Sequence, residues 1–396
     1  MRVFYAEANY GKDEIDAAIK ILQEERLALM CGKNVSKLEE RVAKIFNQRF
    51  GLMTNSGSSA NLLAIKSLNL KKSSKVITPA LTFSTTVAPL VQSDLIPLFV
   101  DVEFDTLQID VAILKEVDLE NVSAICVPNL IGNIANWEEI SNFAKKNNLM
   151  VIEDSADTIG YEYKSELDQW ANVTTTSFYA SHVITGAGFG GMATFKDQKN
   201  YDLAKSLRGW GRRSSLYGET EDYNRRFDCQ IGGIDYDDKY VFDDLGYNFL
   251  PSEISAAFGL VQLDNLEKNV KNRWENFNTL KSTLSVSKNF KTFRSYENVY
   301  TGWLAFPLLL SEKLKGKRKE FQIYLEKSGV QTRTIFTGNI LRQPVAKKFT
   351  WDSYGSFEIS DEIMQNGILL GCHNQMTREK IDYMVKIIFE AESKIA

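Results

Sequence analysis

The chain has 396 residues, 44% of them hydrophobic, with 47 basic against 51 acidic side chains and a formal net charge of −4. That length and apolar content suit a large buried core in two packed units. No basic tract invites nucleic acid, and no apolar run reaches membrane-spanning length. The four cysteines, Cys31, Cys126, Cys229 and Cys372, form no CxC or CxxC pair. They read as reduced thiols of a cytoplasmic protein and disfavour a zinc or iron–sulfur site, which usually shows close ligand pairs. The opening "MRVFYAEANYGKDE" has no secretory h-region.

In chain order, "KDEIDAAIKILQEE" places Ile15, Ile19 and Leu22 on one helical face. "GLMTNSGSSANLLAI" (51–65) reads as a strand, a Gly/Ser turn and a helix. The N–H groups from Gly57 onward and the hydroxyls of Ser58 and Ser59 suit a phosphate, although a serine cap without ligand gives the same pattern. "KVITPA" (75–80) is a strand. "ALTFSTTVAP" then sets Phe83 just past its end, to cover a planar ligand or to join the core. Further buried strands are predicted at 96–102, 124–130, 149–156, 174–181 and 190–195, with a helix over 136–148. Near-continuous apolar strands alternating with helices predict an α/β fold with a mostly parallel sheet covered on both faces.

"VIEDSAD" puts Asp154 at the carboxyl end of a buried strand, with Asp157 three residues on. Ligands of open α/β sheets bind there, and helix capping is the other reading of the pair. "TTTSFYAS" leads into "HVITGAGFGG", so His182, one of only two histidines, stands near another strand end. The second, His373 in "GCHNQM", reads as structural. A long, bent helix follows in "PSEISAAFGLVQLDNLEKNVKNRWENF". The last part mixes strands ("GWLAFPLLL") with helices and ends in a stripe of Ile381, Met384, Val385 and Ile388. The division is a large ligand-binding domain over 1–270 and a smaller α+β domain over 271–396.

The ordered segments "NSGSSANLLAI", "PALTFSTTVAPL", "FVDVEFDTLQID", "EDSADTIG", "SFYASH" and "GYNFLPSEISAAFGLVQL" resemble the DegT/DnrJ/EryC1/StrS family over nearly the whole chain. The resemblance implies the aspartate-aminotransferase fold (fold type I) and the cofactor pyridoxal 5′-phosphate (PLP), which alternates with pyridoxamine 5′-phosphate. It implies that Asp154 pairs with the pyridinium nitrogen and that Asp157 lies near the ring's phenolic oxygen. Phe83 would stack on the ring, while Gly57, Ser58, Ser59 and Ser177 hold the phosphate. Asn248 would reach the cofactor phosphate of a neighbouring subunit, which implies a homodimer with shared active sites.

Aminotransferases of the family carry a lysine where this chain has His182. Imidazole cannot tether the aldehyde as a stable imine, but it can take and return a proton near neutral pH. Histidine followed by "VIT", together with "TRTIFTGNILRQP" (332–344), is similar to the sugar-nucleotide 3-dehydratase branch. One group of that branch carries an iron–sulfur cluster on cysteines after an "R.WGR" segment. Here "LRGWGRRSSLYGET" has Arg213, Ser214 and Ser215 there, with only Cys229 a little further on. The sequence is therefore similar to the cluster-free group, which uses glutamate as amino donor and acts on a GDP-linked 4-keto-6-deoxy sugar in surface-polysaccharide (O-antigen) synthesis. CDP and dTDP sugars stay open as substrates. A cluster-dependent dehydratase, a 4-aminotransferase and a non-catalytic sensor of PLP or sugar nucleotide stay open as alternatives. Arg333, Asn339 and Arg342 are candidates for the substrate's phosphates or sugar, or are surface and interface residues.

Overall fold

The computed structural model describes residues 1–24, 29–167, 169–217 and 222–396. The β-branched and apolar runs form the strands the sequence predicts, usually shorter by a residue or two. In the first part these are β1 (Phe50–Thr54), β2 (Lys75–Pro79), β3 (Ile96–Val100), β4 (Val122–Pro128), β5 (Met150–Ser155), β6 (Val173–Ser177) and β7 (Gly191–Phe195). The later part adds β8 (Phe290–Thr292), β9 (Phe306–Leu310), β10 (Arg333–Thr334), β11 (Asp352–Ser353) and β12 (Gly367–Leu370).

The large sheet runs β1-β7-β6-β5-β4-β2-β3-β11. Only β7 is antiparallel to its neighbours β1 and β6. β6 and β7 are buried at every position, which is why they read as continuous runs without alternation. The carboxyl ends of β2, β4, β5 and β6 all open on one edge, where helices Gly57–Ser67 and Ser84–Gln92 begin. The smaller sheet, β8-β9-β12-β10, is antiparallel and covered by helix Arg378–Ile395, with Ile381, Met384 and Ile388 buried beneath it.

The predicted long helix is two helices, Glu253–Asp264 and Leu266–Leu284, joined at Asn265. The second carries Phe277, whose ring stacks on Trp303 at 4.1 Å between centroids, and both side chains are fully buried. Trp303→Ala is expected to cost about 3–5 kcal/mol, read as a lowered midpoint in denaturant unfolding. A change under about 1 kcal/mol would mean that the core can close over the gap.

Two crossings complicate the division at residue 270. Val3 bridges Val330, and the Tyr5 N–H donates to Gln331 Oε1 at 3.0 Å, so the first residues belong with the smaller unit. In return β11 lends an edge strand to the large sheet beside β3.

Helix Lys12–Glu24 packs on Glu253–Asp264 through Glu14 and Ile21, leaving Ile15, Ile19 and Leu22 exposed. The reason is polar. Glu14 accepts from the Gly11 N–H at 2.8 Å and from Gln262 Nε2 at 2.6 Å, which turns the acidic face inward. Among the described residues no helix is long and apolar enough to cross a membrane.

Candidate active site

At the carboxyl edge of the large sheet lies a cavity of about 480 Å³, lined by Asn55, Gly57, Ser58, Phe83, Asp154, Asp157, Ser177 and His182 among others. Segments far apart in the chain converge there, because each follows a strand of the same sheet. Gly57 opens helix Gly57–Ser67, capped by Ser56, whose side chain accepts from the Ser59 N–H. A Cβ on Gly57 would come within 2.7 Å of Ser177 Cβ, so only glycine lets the two strand ends close into a cup.

Asp154 is buried at the end of β5. Its Oδ2 accepts from Thr86 Oγ1 at 2.7 Å and Asn61 Nδ2 at 2.9 Å, and its Oδ1 from the Ala156 N–H at 3.1 Å. Burial raises its pKa, and these donors oppose the rise. Asp157 Oδ2 accepts from the Ile131 N–H at 2.8 Å. Burial pushes Asp157 up to about 7, against that hydrogen bond and with help from the charge of Asp154. Ile131 adopts φ +61°, a strained value for a β-branched residue, next to the site.

His182 lies beyond β6, which ends at Ser177, and its ring packs edge-on to Tyr179 at 5.8 Å. Among the described residues its buried Nδ1 has no hydrogen-bond partner. Burial, and then the charge of Arg273, push it down to about 4. The imidazole is therefore neutral at pH 7. His373 is also held near 4, chiefly by burial, with Nε2 on the Phe4 carbonyl and Nδ1 accepting from the Gln375 N–H, a structural role. Each takes up a proton on unfolding as pH falls from 6.5 toward about 4, so each weakens the fold over that window. An NMR titration of the two imidazoles is expected to find both neutral at pH 5.5. A midpoint near 6.5 for His182 would contradict the burial described here.

Phe83 is 49% exposed, so it serves the cavity wall rather than the core, and Phe336 meets it edge-on at 5.6 Å. Some candidates lie elsewhere. Ser59 is buried, with its hydroxyl 3.0 Å from Ser56 Oγ, and it completes the cap instead of facing the cavity. Asn339 is buried, donating to Asp361 Oδ1 at 2.8 Å and capping Leu341. Arg342 grips the same carboxylate at 2.6 and 3.0 Å. Asp361 thus engages both side chains, and neither lines the cavity. Arg333 does reach the mouth. It lines an adjoining cavity of about 650 Å³ with Tyr5, Phe83 and Phe336, and its guanidinium lies over the Tyr5 ring. Asn248 is exposed and away from the cavity, paired with Gly209.

Sequence reasoning missed Tyr5, Asn55, Asn61, Thr86 and Leu304. Asn61 left a signal, a lone amide inside the apolar run "ANLLAI". Tyr5 left none, since its place depends on pairing with Gln331.

Residues 9–389 match the DegT/DnrJ/EryC1/StrS aminotransferase family. The chain is 34% identical to the lipopolysaccharide biosynthesis protein RfbH of Salmonella typhimurium, over 90% of this chain and 84% of that protein. It is 31% identical to the dTDP-4-dehydro-2,6-dideoxy-D-glucose 3-dehydratase of Saccharopolyspora spinosa, over 96% and 85%. The structure of E. coli GDP-4-keto-6-deoxy-D-mannose 3-dehydratase with bound hydrated PLP superposes with a TM-score of 0.87 at 26% identity, covering 98% of this chain and 99% of that one.

The residues present fit PLP. A Gly/Ser helix N-terminus suits its phosphate, an aromatic its ring face and a buried carboxylate its ring nitrogen. Buried Asn55 Oδ1 has no partner among the described residues and lines the same cavity. The chain belongs to the DegT/DnrJ/EryC1/StrS family of PLP-dependent enzymes, in the fold shared by its sugar-modifying members.

Proposed function

We propose that this chain removes the C3 hydroxyl of a nucleotide-linked 4-keto-6-deoxyhexose, with glutamate as the source of the nitrogen and the two electrons. The observation that carries the reading is His182 in the cavity while, among the described residues, no lysine lines it. Lys196, the nearest lysine after His182 in sequence, is exposed beyond β7. When bound in its amine form, the cofactor supplies a nitrogen for the C4 ketone and a ring that holds an electron pair.

The chain's residues do the rest. Asp154 presents its carboxylate to the ring nitrogen, and its three donors fix its direction. Ser58, Ser177 and the N–H groups from Gly57 bind the phosphate. Phe83 covers one face of the ring. His182, neutral at pH 7 and with Nδ1 unpaired among the described residues, takes and returns the proton that the elimination needs. A lysine would bind the aldehyde form itself and favour amino transfer, whereas histidine leaves the aldehyde open to glutamate. The atoms balance: sugar and glutamate give the 3-deoxy sugar, 2-oxoglutarate and ammonia. Arg333 at the mouth suits the nucleotide's phosphates through its planar fork.

No reductase or iron–sulfur cluster enters this scheme. In the segment after Trp210, Arg213 pairs with Asp243 and Arg226 with Asp237, while Arg212 lies over the Trp210 ring. Asn248 and the exposed Phe242 and Leu245 support a homodimer in which that loop reaches the second subunit's site. Sedimentation of the purified protein at the monomer mass would overturn the shared-site part of the reading.

The test is a mass-spectrometric product assay with PLP, glutamate and a panel of GDP-, dTDP- and CDP-4-keto-6-deoxyhexoses. Replacement of one hydroxyl by hydrogen, matched by 2-oxoglutarate and ammonia, supports the reading and names the nucleotide. A product that keeps nitrogen would make the chain an aminotransferase.

A further inference from the structure

Arg273 sits in helix Leu266–Leu284 and is almost wholly buried. Among the described residues no carboxylate pairs with it. Its guanidinium instead donates to four backbone carbonyls in two segments. Nη1 reaches Trp303 and Leu304 at 3.2 and 3.0 Å, and Nη2 reaches Ser181 and His182 at 3.4 and 3.3 Å. Burying a cation without a counter-ion is costly, so such an arrangement needs a reason.

The contacts supply one. His182 and Leu304 both line the cavity. The Leu304 N–H donates to the Ile131 carbonyl at 2.8 Å, and the Ile131 N–H donates to Asp157 Oδ2 at 2.8 Å. One guanidinium thus joins the backbone that carries His182 to the chain of hydrogen bonds that ends on Asp157. The junction is tight: a Cβ on Gly132 would lie 2.8 Å from the Leu304 nitrogen and 3.2 Å from the Asp157 carbonyl.

We propose that Arg273 is a positioning residue that fixes His182 and Asp157 relative to one another across the cavity. This rests on the acid–base role given to His182 above. A planar fork with several N–H groups can span two segments, while a single ammonium cannot.

The test uses Arg273→Lys, which keeps the charge and loses the span. Asn276→Ala is the control: Asn276 stands one turn along the same helix and donates to the His373 carbonyl at 3.1 Å, away from the cavity. Arg273→Lys is expected to lower kcat by about 10²-fold, the cost of a misplacement near 1 Å, with KM for the sugar nucleotide unchanged. Asn276→Ala is expected to leave both as they are. In the apoprotein the His182 imidazole signal, assigned by its loss in His182→Asn, is expected to shift or split in Arg273→Lys and to hold in Asn276→Ala.

Unchanged kcat with an unmoved His182 signal would overturn the proposal, and so would a rise in KM alone. If Arg273→Lys does not fold, Gly302→Ala is the second variant, because its methyl would lie 3.1 Å from Val270 Cα and 3.5 Å from Arg273 Cδ and so press on the helix turn that carries Arg273. It is expected to lower kcat in the same direction, by less. Wild-type turnover in His182→Asn would instead overturn the acid–base role given to His182, and the apoprotein signal would still decide the positioning claim.

Discussion

His182→Asn is expected to lower formation of the deoxy sugar by about 10²–10⁴-fold, the usual worth of a placed acid–base group. The cofactor should stay bound. The residues that fit its phosphate and ring are Gly57, Ser58, Phe83, Asp154 and Ser177, and none depends on the imidazole. Asparagine fills most of the volume and offers no group that protonates near neutral pH. The measurement is a single-turnover product assay beside the absorbance of bound cofactor. Loss of both turnover and cofactor would assign His182 to binding. Unchanged turnover would move the proton to another titratable side chain of the cavity, among them Tyr5, Asp154, Asp157 and Tyr179.

Asp154→Ala is expected to reduce both the fold's stability and the retained cofactor. Removing the carboxylate leaves Thr86 Oγ1 and Asn61 Nδ2 with a lost acceptor in a buried site. A buried donor without its partner costs about 1–3 kcal/mol, so a fall of a few kcal/mol is expected in denaturant unfolding of the apoprotein. The holoenzyme should lose more, since the negative charge at the ring nitrogen goes too. Asp154→Asn separates the two effects. Its amide oxygen can still accept from Thr86 and Asn61 while its NH2 faces the Ala156 N–H, so the apoprotein should regain part of its stability while turnover stays low. Equal turnover in Asp154→Asn and the wild type would show that the charge is not needed.

The strands and their order were legible because buried parallel strands leave long apolar runs, and because ligand-binding residues collect at their carboxyl ends. That placed Asp154, Asp157, Ser177 and His182 beside one cavity from the sequence alone. Residues whose role depends on rotation about a helix axis were harder to place. Ser58 and Ser59 look equivalent in sequence, yet one faces the cavity and the other closes a cap. The period of Ile15, Ile19 and Leu22 showed that they share a helical face but not where it points, and a buried Glu14–Gln262 hydrogen bond turns a different face inward. Asn339 and Arg342 both pair with Asp361, a carboxylate whose position depends on the tertiary fold and which the sequence did not point to. Arg273 left no signal, because its partners are carbonyls, which every residue has.

The exchange of segments across residue 270 bears on how this chain can be divided. Residues 1–270 alone would lack β11 and leave β3 as an open sheet edge, a template for joining other chains. Residues 271–396 alone would lack the Val3–Tyr5 segment that pairs beside Val330 and Gln331. Neither piece is a portable module. Swapping the C-terminal part between relatives to change specificity should give insoluble chimaeras, unless the first few residues and the partner of β3 are exchanged with it.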